Sequence, residues 1–102
     1  MVKKVNDLNE AKAAKVAVID FSAQWCGPCK MMAPVLEEVS ESMSSEAEFY
    51  NIDVDDARAE AEEFSVMSIP LLVVLKDGKE VSRQVGFQPK ENIENFIKNA
   101  IQ

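Results

Sequence analysis

The stretch "VAVIDF", Val16 to Phe21, is an almost unbroken apolar run rich in β-branched residues, the pattern of a central strand covered on both faces. Asp20, a charge inside that run, is the anomaly in it. Downstream, Met32, Val35, Leu36, Val39 and Met43 recur as one helical stripe with Glu37, Glu38 and Glu41 on the other side, which predicts an amphipathic helix from about Gly27 to Met43. Pro34 falls inside it, removes the hydrogen bond to the Lys30 carbonyl and is expected to kink it. "EFYNID", Glu48 to Asp53, reads as a second strand, and Asp55 or Asp56 is placed to cap a helix through Phe64 whose apolar side is Ala57, Ala61 and Phe64. "LLVVL", Leu71 to Leu75, and "EVSRQV", Glu80 to Val85, flank "KDGK", where Asp77-Gly78 signals a tight hairpin. The alternation of Val81, Arg83 and Val85 predicts a half-exposed edge strand. Ile93, Phe96, Ile97, Ala100 and Ile101 form the stripe of a final amphipathic helix after Pro89, and "LNEAKAA" reads as a short helix before the first main strand. The predicted order is helix, strand, helix, strand, helix, hairpin, helix. This is an α/β domain whose early strands run parallel and whose hairpin adds an antiparallel edge.

The length of 102 residues fits one compact domain, residues 1–102, able to bury a core without disulfide staples. With 47% hydrophobic and 28% charged residues the chain has the composition of an ordinary soluble globular protein. Its 11 basic residues against 18 acidic ones leave a net charge of −7, which argues against nucleic acid as a partner, because binding phosphates needs a surplus of Lys and Arg. The longest strongly apolar run, Ile69 to Leu75, is far short of the roughly 20 residues that span a bilayer, and reads as a buried strand. The N-terminus has no apolar signal-peptide core, so the cytoplasm is the expected compartment. Histidine is absent, which removes Ser-His and Cys-His nucleophile pairs and the commonest zinc ligand together. The three glycines, Gly27, Gly78 and Gly86, cannot build a phosphate-cradling loop or a dinucleotide fingerprint, so no nucleotide cofactor is expected.

Both cysteines of the chain lie in "WCGPC", residues 25 to 29. The spacing puts Cys26 at or just before the predicted helix start and Cys29 about one turn further in. The free N–H groups and the positive end of the helix dipole then favour a thiolate on Cys26. A stabilisation of about 1 to 2 kcal/mol lowers a thiol pKa by about one unit. Pro28 lies where a missing N–H does no harm, and its fixed φ stiffens the short loop. Once Cys26 carries a mixed disulfide, Cys29 attacks it within the chain, where effective molarities reach about 10⁵ M or more. Two other readings compete. A structural disulfide across so short a loop removes little unfolded-state entropy and is disfavoured in a reducing compartment. A metal site would need two further ligands, which only a second copy of the chain could supply. Asp20 is either a proton acceptor whose pKa is raised by desolvation, reaching Cys29 directly or through a water, or a structural carboxylate satisfied at a strand end. Asp53, Asp55 and Asp56 lack the third acid and the glycine of a calcium loop and read as loop and cap residues. Met31 and Met32 offer an adaptable surface or, for Met32, core packing.

With "VIDFSAQWCGPCK", "NIDVDD", "SIP", "KDGK" and Val85-Gly86 at the expected separations, the chain resembles the thioredoxin family over essentially its whole length. The resemblance implies a thioredoxin fold, a central mixed sheet flanked by helices on both faces, and a protein-disulfide reductase recharged by a thioredoxin reductase. It implies Cys26 as the attacking and Cys29 as the resolving thiol, with Gly27 and Pro28 tuning the potential and no cofactor beyond the redox-active Cys26–Cys29 disulfide. Asp20 matches the family's buried acid, and Trp25, Ile69, Pro70 and Gly86 match its substrate groove. Pro70 would be the family's cis-proline; a trans-proline opening a strand is the plain alternative. Three positions depart from the pattern of well-known bacterial members: Ser22 replaces an aromatic residue, Leu71 a threonine, and Asn51 a lysine beside the buried acid, a loss of charge expected to favour protonated Asp20. The expected partners are protein disulfides and a reductase, and the expected state is a monomer. The competing functions are an oxidase or isomerase, which a more oxidising potential would reveal, and a non-catalytic binding subunit, which would keep its biological activity without either cysteine.

Overall fold

The computed structural model describes residues 1–102. The elements follow in the order β1 (Val2–Val5), α1 (Asn9–Ala13), β2 (Val16–Ser22), α2 (Gly27–Ser42), β3 (Glu48–Asp53), α3 (Arg58–Glu63), β4 (Leu71–Lys76), β5 (Lys79–Val85) and α4 (Lys90–Ile101). One five-stranded sheet has the order β1-β3-β2-β4-β5. The pairs β1·β3 and β3·β2 are parallel, while β2·β4 and β4·β5 are antiparallel. The hairpin therefore does more than add an edge: β4 is a core strand, and β5 is the border opposite β1. The turn between them places Asp77 at φ 53° and Gly78 at φ 81°, the left-handed conformations a tight hairpin requires. At Gly78 a Cβ would also come within 2.9 Å of the Lys12 carbonyl oxygen.

The register explains why the two central strands read as continuous apolar runs. Ala17, Ile19 and Phe21 of β2 point to one face with Tyr50, Ile52, Leu71, Val73 and Leu75, and meet Leu8, Ala11, Ala57 and Phe64 from the segments around α1 and α3. Val18, Phe49, Leu72 and Val74 point to the other face and meet Met32, Leu36, Val39 and Met43 of α2 and Ile93 and Ile97 of α4. Each such large side chain, fully buried, contributes about 1.5 to 3 kcal/mol relative to exposure. The helix pairs cover both faces of a mixed sheet, the architecture expected from the sequence.

Three local features differ from the sequence reading. The strand β1 was not anticipated, because "VKKV" offers only two apolar positions; Lys3 and Lys4 are exposed at the sheet border, where charge suits an edge strand. Neither Asp55 nor Asp56 caps α3, whose N-cap is Ala57 with no side-chain hydrogen bond; instead the Asp53 carboxylate accepts the Asp55 N–H at 2.8 Å and closes a turn ahead of the helix. The helix itself buries no residue, and the apolar contacts come from Ala57 and Phe64 at its ends. β5 is the half-exposed edge strand that was expected, with Val81, Arg83 and Val85 exposed and Ser82 and Gln84 half-buried. Arg83 is held there by donating to the Phe64 carbonyl at 2.8 Å and to Glu80. The helix α2 continues through Pro34 to Ser42.

Candidate active site

The site lies where α2 begins, at the C-terminal ends of β2 and β3. Cys26 is the N-cap of α2, with extended backbone (φ −87°, ψ 111°), and its Sγ accepts the Cys29 N–H at 3.2 Å. That hydrogen bond satisfies one of the free donors of the first turn, and on reduction the same N–H faces a thiolate. Pro28 occupies the first turn, where its missing N–H leaves nothing unpaired. Cys26 and Cys29 are joined as a disulfide with Cα atoms 5.3 Å apart. They are 4% and 5% exposed, packed with Ala23 and against Val54 and Ile69. A Cβ at Gly27 would meet nothing within 4 Å, so space alone does not demand glycine there.

The residues expected to form a substrate groove come from distant segments, and of these Ile69 packs against the cysteine pair. The Ile69–Pro70 peptide is cis, Pro70 is buried, and its carbonyl accepts the Gly86 N–H at 2.8 Å. Gly86 has φ 93°, a conformation that costs a residue with a side chain about 1 to 2 kcal/mol, which accounts for glycine at this position. Trp25 is 71% exposed, and its Nε1–H donates to Asp55 Oδ2 at 2.8 Å, which holds the indole beside the dithiol. Sequence reasoning assigned Asp55 to a helix cap and missed this role; the only signal was that an exposed indole N–H next to the cysteines wants an acceptor. Phe87, following Gly86, and Met67, two residues before Ile69, are further exposed apolar side chains next to the groove residues in sequence.

Asp20 is 3% exposed and sits on the α2 face of the sheet. Its Oδ2 accepts Asn51 Nδ2–H at 3.0 Å, and its Oδ1 has no partner. Burial pushes its pKa up to about 6, and the hydrogen bond from Asn51 pulls the other way. The expectation for Asn51 is thereby refined: it brings no positive charge, but its amide favours the carboxylate, and Asp20 is raised because desolvation outweighs that donor. Asp20, Ser22, Cys29 and Asn51 line one cleft of about 640 Å³, together with residues of β1 and α2. Cys26, Trp25, Ile69, Pro70 and Gly86 do not line it.

A sequence model of the family described as thioredoxin matches residues 3–99. The chain belongs to the thioredoxin family. A thioredoxin of Staphylococcus haemolyticus is 50% identical over 98 residues, covering 94% of this chain and 94% of its own. A thioredoxin of Staphylococcus aureus is 48% identical over 91 residues, 89% of this chain and 88% of its own. Among solved structures, a mutant thioredoxin from Halobacterium salinarum superimposes with a TM-score of 0.86 at 33% identity, covering 99% of this chain and 88% of that one. With a Cys26–Cys29 disulfide at the head of α2, this thioredoxin-family protein is a dithiol reductase that acts by thiol–disulfide exchange, and its redox-active group is its own cysteine pair. No helix is long and apolar enough to cross a membrane.

Proposed function

We propose that Cys26 is the attacking thiol, Cys29 the resolving thiol and Asp20 the proton acceptor for Cys29 in the reduction of protein disulfides. The observation that carries this reading is the position of Cys26 at the N-cap of α2 with its sulfur on the Cys29 N–H, which favours the thiolate on Cys26 rather than on Cys29. In the first step the Cys26 thiolate attacks one sulfur of a substrate disulfide; that S–S bond breaks, a mixed disulfide forms, and the other substrate sulfur leaves as a thiolate that takes a proton from solvent. In the second step Cys29 passes its proton to Asp20 and attacks Cys26 Sγ. The mixed disulfide breaks, the intramolecular disulfide forms, and the second substrate sulfur leaves and is protonated. Two electrons pass from the dithiol to the substrate. Asp20 suits its part because a carboxyl with a pKa of about 6 is ionised at neutral pH yet basic enough to accept a thiol proton.

Trp25, Ile69, Pro70 and Gly86 receive the substrate, with the Ile69 backbone pairing with an extended segment; the packing of Ile69 against the cysteine pair supports this reading. Gly27 and Pro28 tune the potential. A thioredoxin reductase recharges the disulfide, the clients are protein disulfides of the cytoplasm, and the chain works as a monomeric single domain, residues 1–102.

The test is the Cys29→Ser variant mixed with an oxidised protein substrate. A stable adduct mapped to Cys26 is expected, whereas an adduct that accumulates only in Cys26→Ser, on Cys29, reverses the roles.

A further inference from the structure

Asp20, Ser22 and Asn51 follow the apolar Val18 and Phe49 on the face of β2 and β3 turned toward α2. Asp20 and Ser22 are two residues apart on β2 and point to the same side, and Asn51 is the cross-strand partner of Asp20 in β3. One pair of strand positions back, the same face carries Val18 and Phe49 in the core under α2. The Asn51 amide has two hydrogens and three acceptors within reach: Ser22 Oγ at 2.8 Å, Asp20 Oδ2 at 3.0 Å and the Asp20 carbonyl at 3.3 Å. The shortest bond goes to Ser22, which fixes the plane of the amide so that its second hydrogen addresses Asp20. With Oδ2 engaged, Oδ1 is the buried oxygen left without a partner, on a side chain that lines the same cleft as Cys29.

We propose that Asn51 is a positioning residue for proton transfer between Cys29 and Asp20, oriented by Ser22, and that it ties down Oδ2 so that Oδ1 is the oxygen that takes the proton. The inference rests on the reading of Asp20 as the acceptor. The amide does not titrate, so it keeps its place whether Asp20 is charged or neutral and adds no second charge to the cleft. The charged groups facing the cleft from the surrounding elements are Lys4 of β1, Lys30 and Glu37 of α2, Asp53 at the end of β3 and Asp56 after it. None of them makes a hydrogen bond or ion pair with Asp20, whose one side-chain partner is Asn51. The proton affinity of the acid is therefore set by burial and by one neutral donor.

The experiment compares the wild-type chain with Asn51→Ala, Ser22→Ala and Ser22→Thr. Two quantities are read in each: the Asp20 titration midpoint, from its carboxyl ¹³C resonance or infrared band, and the pH profile of release of a chromophoric aromatic thiol from a mixed disulfide on Cys26. A donor to the charged form is worth about one pKa unit, so Asn51→Ala is expected to raise the midpoint by about one unit and to carry the acid limb of the release profile up with it. Ser22→Ala is expected to shift both in the same direction by less, and Ser22→Thr to restore them. An unmoved midpoint in folded Asn51→Ala overturns the inference and leaves Asp20 as the acceptor. A midpoint that moves while the acid limb stays removes Asp20 from the reaction, and the inference falls with it. If Asn51→Ala does not fold, the Ser22 pair decides: coincident midpoints in Ser22→Ala and Ser22→Thr overturn the proposal.

Discussion

Val18 and Asp20 stand two residues apart on β2, face the same side of the sheet and are equally hidden, 0% and 3% exposed. Val18 meets the apolar flank of α2 and the far half of the sheet, where burial removes hydrocarbon from water. Asp20 meets the head of the same helix, where burial is set against the charge of a carboxylate with one neutral donor and one free oxygen. One strand thus uses the same physical circumstance twice. In its first half exclusion of water holds the fold together; in its second half it weakens the fold and yields an acid, raised to about 6, that lines the same cleft as Cys29. The comparison teaches that stability and chemistry are divided along the length of α2 and the strands beneath it, and each half can be altered separately.

The largest effect is expected at the chemical end. If Cys29 is the resolving thiol as proposed, Cys29→Ser removes intramolecular resolution, and since well-oriented steps of this kind reach effective molarities of about 10⁵ M, turnover with a protein disulfide should fall by about a thousandfold or more while the denaturation midpoint of the reduced protein hardly changes. Multiple-turnover reduction assays measure this, and a loss of less than about tenfold would mean that external thiols resolve the adduct. At the packing end the opposite signature is expected. Leu36→Ala, a buried residue of α2, should cost about 2 to 5 kcal/mol in denaturant unfolding, with the Cys26–Cys29 reduction potential unchanged in the folded protein. A shift of that potential along with stability would show that the two halves are not separable.

Asp20→Asn tests the boundary between them. Its carboxyl titrates near 3.8 when unfolded and about 6 when folded, so the native state holds the proton more tightly. Well below pH 3.8 both states are protonated and the ionisation contributes nothing; as pH rises from there through 6 stability is lost, and well above pH 6 the full penalty stands, about 3 kcal/mol as an order of magnitude. The variant should therefore be more stable than the wild type above pH 6 and not below pH 4, and the resolving step should slow at neutral pH. Equilibrium unfolding at pH 3.5 and pH 8 decides it, and an equal difference at both values would trace the effect to packing. The smallest effect is expected from Trp25→Phe, which loses one exposed hydrogen bond to Asp55 and should change stability by no more than about 1 kcal/mol, with a larger change in substrate KM than in folding.

Much of this was legible along the chain. The periodicities located α2, α4, the two central strands and the hairpin, because each rests on neighbours within a few residues. The cysteine spacing at a helix start indicated the redox pair for the same reason, and the isolated acid in "VAVIDF" marked Asp20. Less was legible where an element borrows its partners. β1 depends on pairing with β3 rather than on its own two valines. The exposed side of β5 could not be told from alternation, since a period of two defines a set of residues and not the side on which a helix lies. Asp55 looked like a cap because its partner, Trp25, is thirty positions away.

By itself the amino-acid sequence determined α2, α4, the central strands and the hairpin, the cysteine motif and the family resemblance, all of which follow from patterns local in the chain or carried by one contiguous motif. Only the tertiary structure decided that Asn51 reaches across from β3 to hold one oxygen of Asp20, that Ser22 holds Asn51, and that the other oxygen is buried without a partner on a residue lining the same cleft as Cys29. Such relations are set by strand register and helix placement, and those arise from the packing of the whole core, which no single segment encodes.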